Sequence, residues 1–306
     1  MQSEWEFELG SDYEISAKSQ IFHHSNLKLT TATINGGTIE IISKTTDNPN
    51  AYLILKKLTH PHIINILSIK AYMKYGTKHY DTSYPFFNVH NLEDLISTRI
   101  ITPAESLQFT RELVDAVSYL HSNNVIHFDI KPANILVITA TQGTISDQRG
   151  LKLIDFDLAF KPEKPKPKSK SCLPKLSRKH RSMTKSRSQF YPKRCGTIGF
   201  MAPELWYDHQ NPNLDYFKCD VYSMGVTIYQ MIMSKLPIGG TSLEQMEMQH
   251  RSHRPDPVIT PNPDFSALIM RTLSKAAASR PKASEVNTAL LKIDFKINLS
   301  SPSLSW

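Results

Sequence analysis

Residues 127–134 read His127-Phe128-Asp129-Ile130-Lys131-Pro132-Ala133-Asn134, and the apolar run Ile135-Leu136-Val137 follows directly. A helical pattern precedes the stretch, so it reads as a loop between a helix and a strand. An aspartate, a lysine two residues on and an asparagine three further on supply a proton acceptor, a fixed positive charge and a neutral oxygen ligand. Phosphoryl transfer calls for those three types, because it asks the protein mainly to position a hydroxyl and to neutralise charge on phosphate oxygens. Asp and Asn are also ordinary turn formers, and taken alone the loop has the plain reading of a connection. The remainder of the chain decides between the two.

With 306 residues, 40% of them hydrophobic, the chain has enough apolar material for one or two cored domains and is not of disordered type. No apolar run approaches the roughly 18 residues of a membrane span, and Met1 to Gly10 is acidic rather than signal-like. The expectation is an intracellular protein of nucleus or cytoplasm, with no membrane partner. Cys172, Cys195 and Cys219 have no paired spacing, so neither a disulfide framework nor a zinc site is implied. Residues 161–194 hold 13 Lys and Arg against the single acid Glu163, a local charge of +12. The whole chain carries +8, which leaves the rest at −4, the difference of those two figures. A mildly acidic body with one basic segment does not present the basic face of a nucleic-acid binder. That segment, rich in Pro, Ser and Lys, reads as a solvated insertion for targeting or regulation, a candidate for an acidic partner or an import receptor.

Outward from the loop, Pro103 to His121 carries Phe109, Leu113, Ala116, Val117 and Leu120 at helical spacing, with Thr102 as cap. Upstream, Leu27 to Ile34 and Thr38 to Ser43 are β-branched runs joined by Asn35-Gly36-Gly37, a hairpin signal. Asn50 to Leu58 is helical in composition and stops before His60-Pro61. Downstream, Leu151 to Ile154 reads as a short strand, and Asp215–Ser234 and Ser266–Ser274 as helices. The first third is thus β-rich and the remainder helical.

His127 to Asn134 resembles the catalytic loop of the eukaryotic-type protein kinases, and this version of it is similar to that of Mos-type kinases. Asp155-Phe156-Asp157, about 20 residues on, resembles their Asp-Phe-Gly with the glycine replaced. Cys195-Gly196-Thr197-Ile198-Gly199-Phe200-Met201-Ala202-Pro203-Glu204 resembles the end of the activation segment, and Asp220-Val221-Tyr222-Ser223 the start of the helix that holds the loop. The resemblance covers about residues 50–290. It implies an α+β, two-lobed kinase fold, with an N-lobe over 1–89, a C-lobe over 90–294 interrupted by the basic insertion 161–194, and a tail at 295–306. It implies a serine/threonine protein kinase that uses ATP and Mg2+ on protein substrates. Asp129 is the expected base, Lys131 and Thr197 its catalytic companions, Asn134 and Asp155 the metal ligands, and Leu136 a nucleotide contact. His127, Phe156, Asp220 and the buried pair Glu204–Arg280 are the expected structural residues. The compact N-terminal third is similar to that of kinases of large DNA viruses. An inactive scaffold that binds partners through its C-lobe and basic segment is the alternative reading.

The N-terminal third departs from the family. Ser11 to Thr30 contains no glycine where a phosphate-covering Gly-rich loop is expected, and the family's spacing puts Ala51 where a helix glutamate belongs. The strand lysine has two alignments, with Glu40 or Lys44 at its position. Charge favours Lys44, since Glu40 would repel ATP; Lys28 and Lys18 are substitutes on neighbouring strands. Phe128 stands where the family usually has the arginine that links the loop to a phosphorylated activation segment.

Overall fold

The computed structural model describes residues 5–7, 13–21, 27–34, 37–87, 89–138, 150–162, 195–207 and 214–294. The 295–306 tail, residues 163–194 of the basic segment and the 22–26 connection lie outside the described residues, and so do the readings placed on them. The sequence's β-rich third forms one antiparallel sheet from β1 (Trp5–Phe7), β2 (Tyr13–Ile21), β3 (Leu27–Ile34), β4 (Gly37–Thr46), β5 (Ser68–Lys74) and β6 (Thr77–Pro85). Their order is β1-β5-β6-β4-β3-β2. The expected hairpin is present, with Ile34 opposite Gly37, and β4 runs three residues past Ser43. That extension keeps Lys44 inside the ladder, opposite Thr82 of β6, whose hydroxyl donates to the Lys44 carbonyl at 3.1 Å.

Between β4 and β5 lies one short helix, α1 (Asn50–Leu55). It ends three residues earlier than composition predicts, because Lys57 and Leu58 bond back to Ile54 and Leu55 in tighter turns ahead of His60-Pro61. Its buried face is Ala51, Ile54 and Leu55.

The remainder is helical. α2 (Leu92–Thr98) starts at the Asn91 cap, and α3 (Pro103–Ser122) opens with a reciprocal capping box between Thr102 and Glu105 and with Pro103 at its first position. The loop follows, then the hairpin β7 (Ile135–Ile138) and β8 (Gly150–Leu153), α4 (Pro203–Tyr207), α5 (Tyr216–Met233), α6 (Leu243–Ser252), α7 (Pro263–Thr272) and α8 (Ala283–Leu290). α7 begins ahead of Ser266 because Asn262 accepts from the Asp264 and Phe265 amides and Pro263 suits the first turn. The core of this part is built on α3 and α5, where Val114, Val117, Leu120, Tyr222, Met224 and Val226 are wholly buried. The chain after α1 joins the two parts: the Leu153 amide donates to the His62 carbonyl at 2.9 Å and the Ile64 amide to the Leu153 carbonyl at 3.0 Å. The whole is the α+β, two-lobed architecture expected of the sequence.

Candidate active site

The loop 127–134 is held from below by α5. Asp220 is fully buried and accepts from the His127 and Phe128 amides, both at 2.8 Å, with His121 at 3.1 Å. It is not the helix cap; Asp215 is, accepting from the Phe217 amide. Its carboxylate is therefore free of capping and is shared by the two loop amides and His121 of α3. Phe128 has φ 66°, and its buried ring meets Tyr216 edge-on at 5.4 Å. A side chain on Gly196 would come within 2.6 Å of the Phe128 carbonyl, so glycine there lets the downstream segment cross the loop at contact distance.

His127 is buried, and burial lowers its pKa, which keeps it neutral. Its Nδ1 accepts from the Asp129 amide at 3.2 Å, so the proton is assigned to Nε2, which donates to the Ile154 carbonyl at 3.1 Å. The Phe156 ring packs on it edge-on at 4.7 Å. One imidazole thus ties the loop to the strand end that carries Asp155.

Asp129, Lys131 and Thr197 form a closed triangle. The Thr197 hydroxyl donates to Asp129 Oδ1 at 2.6 Å, Lys131 Nζ donates to the Thr197 oxygen at 2.7 Å, and Lys131 Nζ lies 2.8 Å from Asp129 Oδ2. Burial alone raises the Asp129 carboxyl, but the bonds from Lys131 and Thr197 outweigh it and hold the group below its ordinary value. Asn134 Nδ2 donates to the Asp129 carbonyl and to Oδ2, both at 2.9 Å, and among the described residues nothing donates to Asn134 Oδ1.

Above the loop a cleft of about 370 Å3 lies between the sheet and the helical part. Leu27, Ile42 and Leu136 give it apolar walls, and Lys44, Asn134 and Asp155 line its polar end. Asn134 and Asp155 thus present a neutral oxygen and a carboxylate to one space, a donor set suited to a hard divalent cation. Among the described residues no group of three His, Cys, Asp or Glu forms a protein-only metal cage. Phosphate and water oxygens would complete the shell of an ion held here.

The alternatives for the lysine now separate. Glu40 is exposed, and its carbonyl accepts from the Phe86 amide. Lys28 is exposed, and the side chain of Lys18 lies outside the described residues. Lys44 enters the cleft, with Nζ 3.3 Å from Asp155 Oδ1 and 2.5 Å from Asp157 Oδ2. Burial opposes its charge, and the two carboxylates more than offset it, raising its pKa. Sequence reasoning missed Asp157 as a partner of Lys44. The signal was present in an acid replacing glycine beside a lysine that lacked its usual partner.

Glu204 and Arg280 meet through two bonds of 2.6 and 2.8 Å, and Arg280 also donates to the Ser274, Lys275 and Lys218 carbonyls. All five N–H donors of the guanidinium are used, and the pair anchors α4 to the turn before α8.

The sequence model of the protein kinase domain matches residues 40–290. A protein of Acanthamoeba polyphaga mimivirus that carries the name of a serine/threonine-protein kinase is 31% identical over 272 residues, 83% of this chain and 85% of its own. Serine/threonine-protein kinase par-4 of Caenorhabditis briggsae is 28% identical over 76% of this chain, and serine/threonine-protein kinase pkn2 of Myxococcus xanthus 24% over 82%. The matched regions make up 32% and 27% of those two longer proteins.

Proposed function

This chain belongs to the protein kinase domain family, and we propose from that premise how its cleft works as an ATP-dependent serine/threonine protein kinase. The substrate hydroxyl sits against Asp129, which accepts its proton as the oxygen attacks the γ-phosphorus and ADP leaves. Lys131 neutralises the transferring phosphoryl, and Thr197 keeps Asp129 and Lys131 in register. Lys44 contacts the phosphates that stay with ADP, and Leu136 packs under the base. We take magnesium as the divalent ion: Asn134 Oδ1 and the Asp155 carboxylate would hold it, and when bound it neutralises charge on the phosphates.

The observation that carries this reading is the triangle of Asp129, Lys131 and Thr197, closed at 2.6, 2.7 and 2.8 Å and bonded through Asn134 to the edge of the cleft. A threonine in that place, with Lys131, fits serine and threonine hydroxyls as acceptors. The test is transfer of labelled phosphate from ATP with magnesium to a generic basic protein, beside Asp129→Asn. Loss of a general base lowers the rate by about 10²–10⁴. Transfer by Asp129→Asn at the parent rate would remove Asp129 from the mechanism.

The basic segment 161–194 is proposed to dock an acidic partner or an import receptor, on the ground that its +12 stands against a body of −4. Deleting Lys164 to Lys185 is expected to alter localisation or partner binding more than turnover. Unchanged nuclear entry and unchanged binding in the deleted protein would count against that role.

A further inference from the structure

The family's strand lysine is steadied by a carboxylate from the neighbouring helix, and α1 has none to offer. Its six residues, Asn50 to Leu55, contain no acid, and Ala51 is only 4% exposed within the apolar core. A lysine meant for phosphate still has to be fixed before the transition state, since an unfixed ammonium on four methylenes loses most of its effect to conformational freedom.

We infer that Asp157 is the residue that positions Lys44, taking over the task of the absent helix carboxylate. Three observations carry this. The Lys44–Asp157 contact, at 2.5 Å, is the shorter of the two that Lys44 makes, against 3.3 Å to Asp155. An ammonium has three donors; two are used on these carboxylates and, among the described residues, the third has no partner and can meet a phosphate oxygen. The backbone also accommodates the exchange. The left-handed conformation in this turn falls on Asp155, with φ 62°, and not on Asp157, so the position that is glycine in the family carries a side chain here without strain.

Chemistry separates the roles of the two carboxylates. Asp155 and Asp157 both line the cleft beside Asn134, and Asp155, the cation ligand proposed above, would share its oxygens between the cation and Lys44. Asp157, two residues on, is the carboxylate that remains with Lys44 once the cation is in place. The tether and the cation ligand then belong to a single turn. α1 joins that turn by a different bond, from Asn50 Nδ2 to the Ala159 carbonyl. Displacing α1 would therefore not by itself free Lys44, whereas moving the turn would disturb lysine and cation ligand together.

This inference rests on Lys44 being the phosphate contact proposed above, and the experiment separates the two. Steady-state transfer is measured at varied ATP for Asp157→Asn, Asp157→Gly, Asp157→Glu, Lys44→Met and the double variant Asp157→Gly with Lys44→Met, each checked by thermal unfolding. Asp157→Asn and Asp157→Gly are expected to lose about 10- to 100-fold in kcat/KM for ATP, the effect of one charge-assisted bond, with Tm within a few degrees of the parent. Asp157→Glu should recover most of the loss. In the Lys44→Met background, Asp157→Gly should cost less than about threefold more, because the tether then has nothing to hold. Asp157→Gly at or above the parent rate overturns the inference, as does a loss that multiplies in full upon Lys44→Met. If Lys44→Met keeps full activity, the assignment of Lys44 fails first and this inference with it.

Discussion

Asp155 is held in a left-handed backbone conformation, an arrangement that only the surrounding structure sustains in a non-glycine residue. The Phe156 ring, buried against His127, and the His127 bond to the Ile154 carbonyl supply that restraint from both sides. The carboxylate is thereby presented to the cleft without help from Lys44. Asp155→Asn should then fold like the parent and lose at least about 10³ in kcat, since removing a cation's carboxylate forfeits several kcal/mol of charge stabilisation. Circular dichroism and single-turnover transfer check the two halves; wild-type turnover would sink the cation role. At this scale much of the site was legible in the sequence. Asp129, Lys131 and Asn134 stand at fixed offsets in one short loop, and the pairing of β7 with β8 returns the chain so that Asp155 follows the Ile154 amide bonded to the Asn134 carbonyl. The pairing of Lys44 with Asp157 was not legible, because residues 113 positions apart meet only after the two lobes are assembled. For the same reason Glu40 and Lys44 were alternatives until the register of β4 on β6 placed one of them opposite Thr82.

The elements that matter most to the site are α5 and the segment that crosses the loop. α5 spends the carboxylate of Asp220 on two loop amides, and Phe128 fills the adjoining space with a ring packed on Tyr216. A guanidinium at that position would need a phosphate or a carboxylate for its charge; a buried phenyl needs none. Activity is therefore expected to survive removal of phosphate from the activation segment. Phosphatase treatment followed by mass spectrometry and an activity assay tests this, and loss of most activity together with the phosphate would refute it. Most of these elements could be read from periodicity, caps and turn residues: Thr102 with Pro103 marked the start of α3, and Asn35-Gly36-Gly37 between two β-branched runs marked the hairpin. The readings drifted at ends set by hydrogen bonding, as at Leu55 and Asn262, where tight turns and a cap outweigh composition.

For the molecule as a whole, acid stability turns on the helical core. His250 on α6 is fully buried, stacked on Trp206 and bonded through Nδ1 to the Tyr222 hydroxyl at 3.2 Å. Burial, with a smaller push from Lys275, lowers its pKa to about 4 from an ordinary 6.5. The folded chain thus refuses a proton that the unfolded chain accepts between those values. Stability is fully present above about pH 6.5 and falls as pH drops toward 4, by about 3 kcal/mol at the limit. His250→Gln should be less stable at neutral pH but flatter across that window, as read from urea midpoints between pH 7 and 4.5; an unchanged slope would assign the acid loss elsewhere. Lys44 and its tether carry a consequence of another kind, in inheritance. The family's spacing puts that negative charge at position 51, and on the inference above this chain keeps it at Asp157, so a lineage with an acid at 51 that reaches the lysine is released from keeping one at 157, and glycine becomes tolerable there. Among descendants of this chain's ancestor the two positions should change as a pair, and lineages that lost both acids should be those that gave up the reaction.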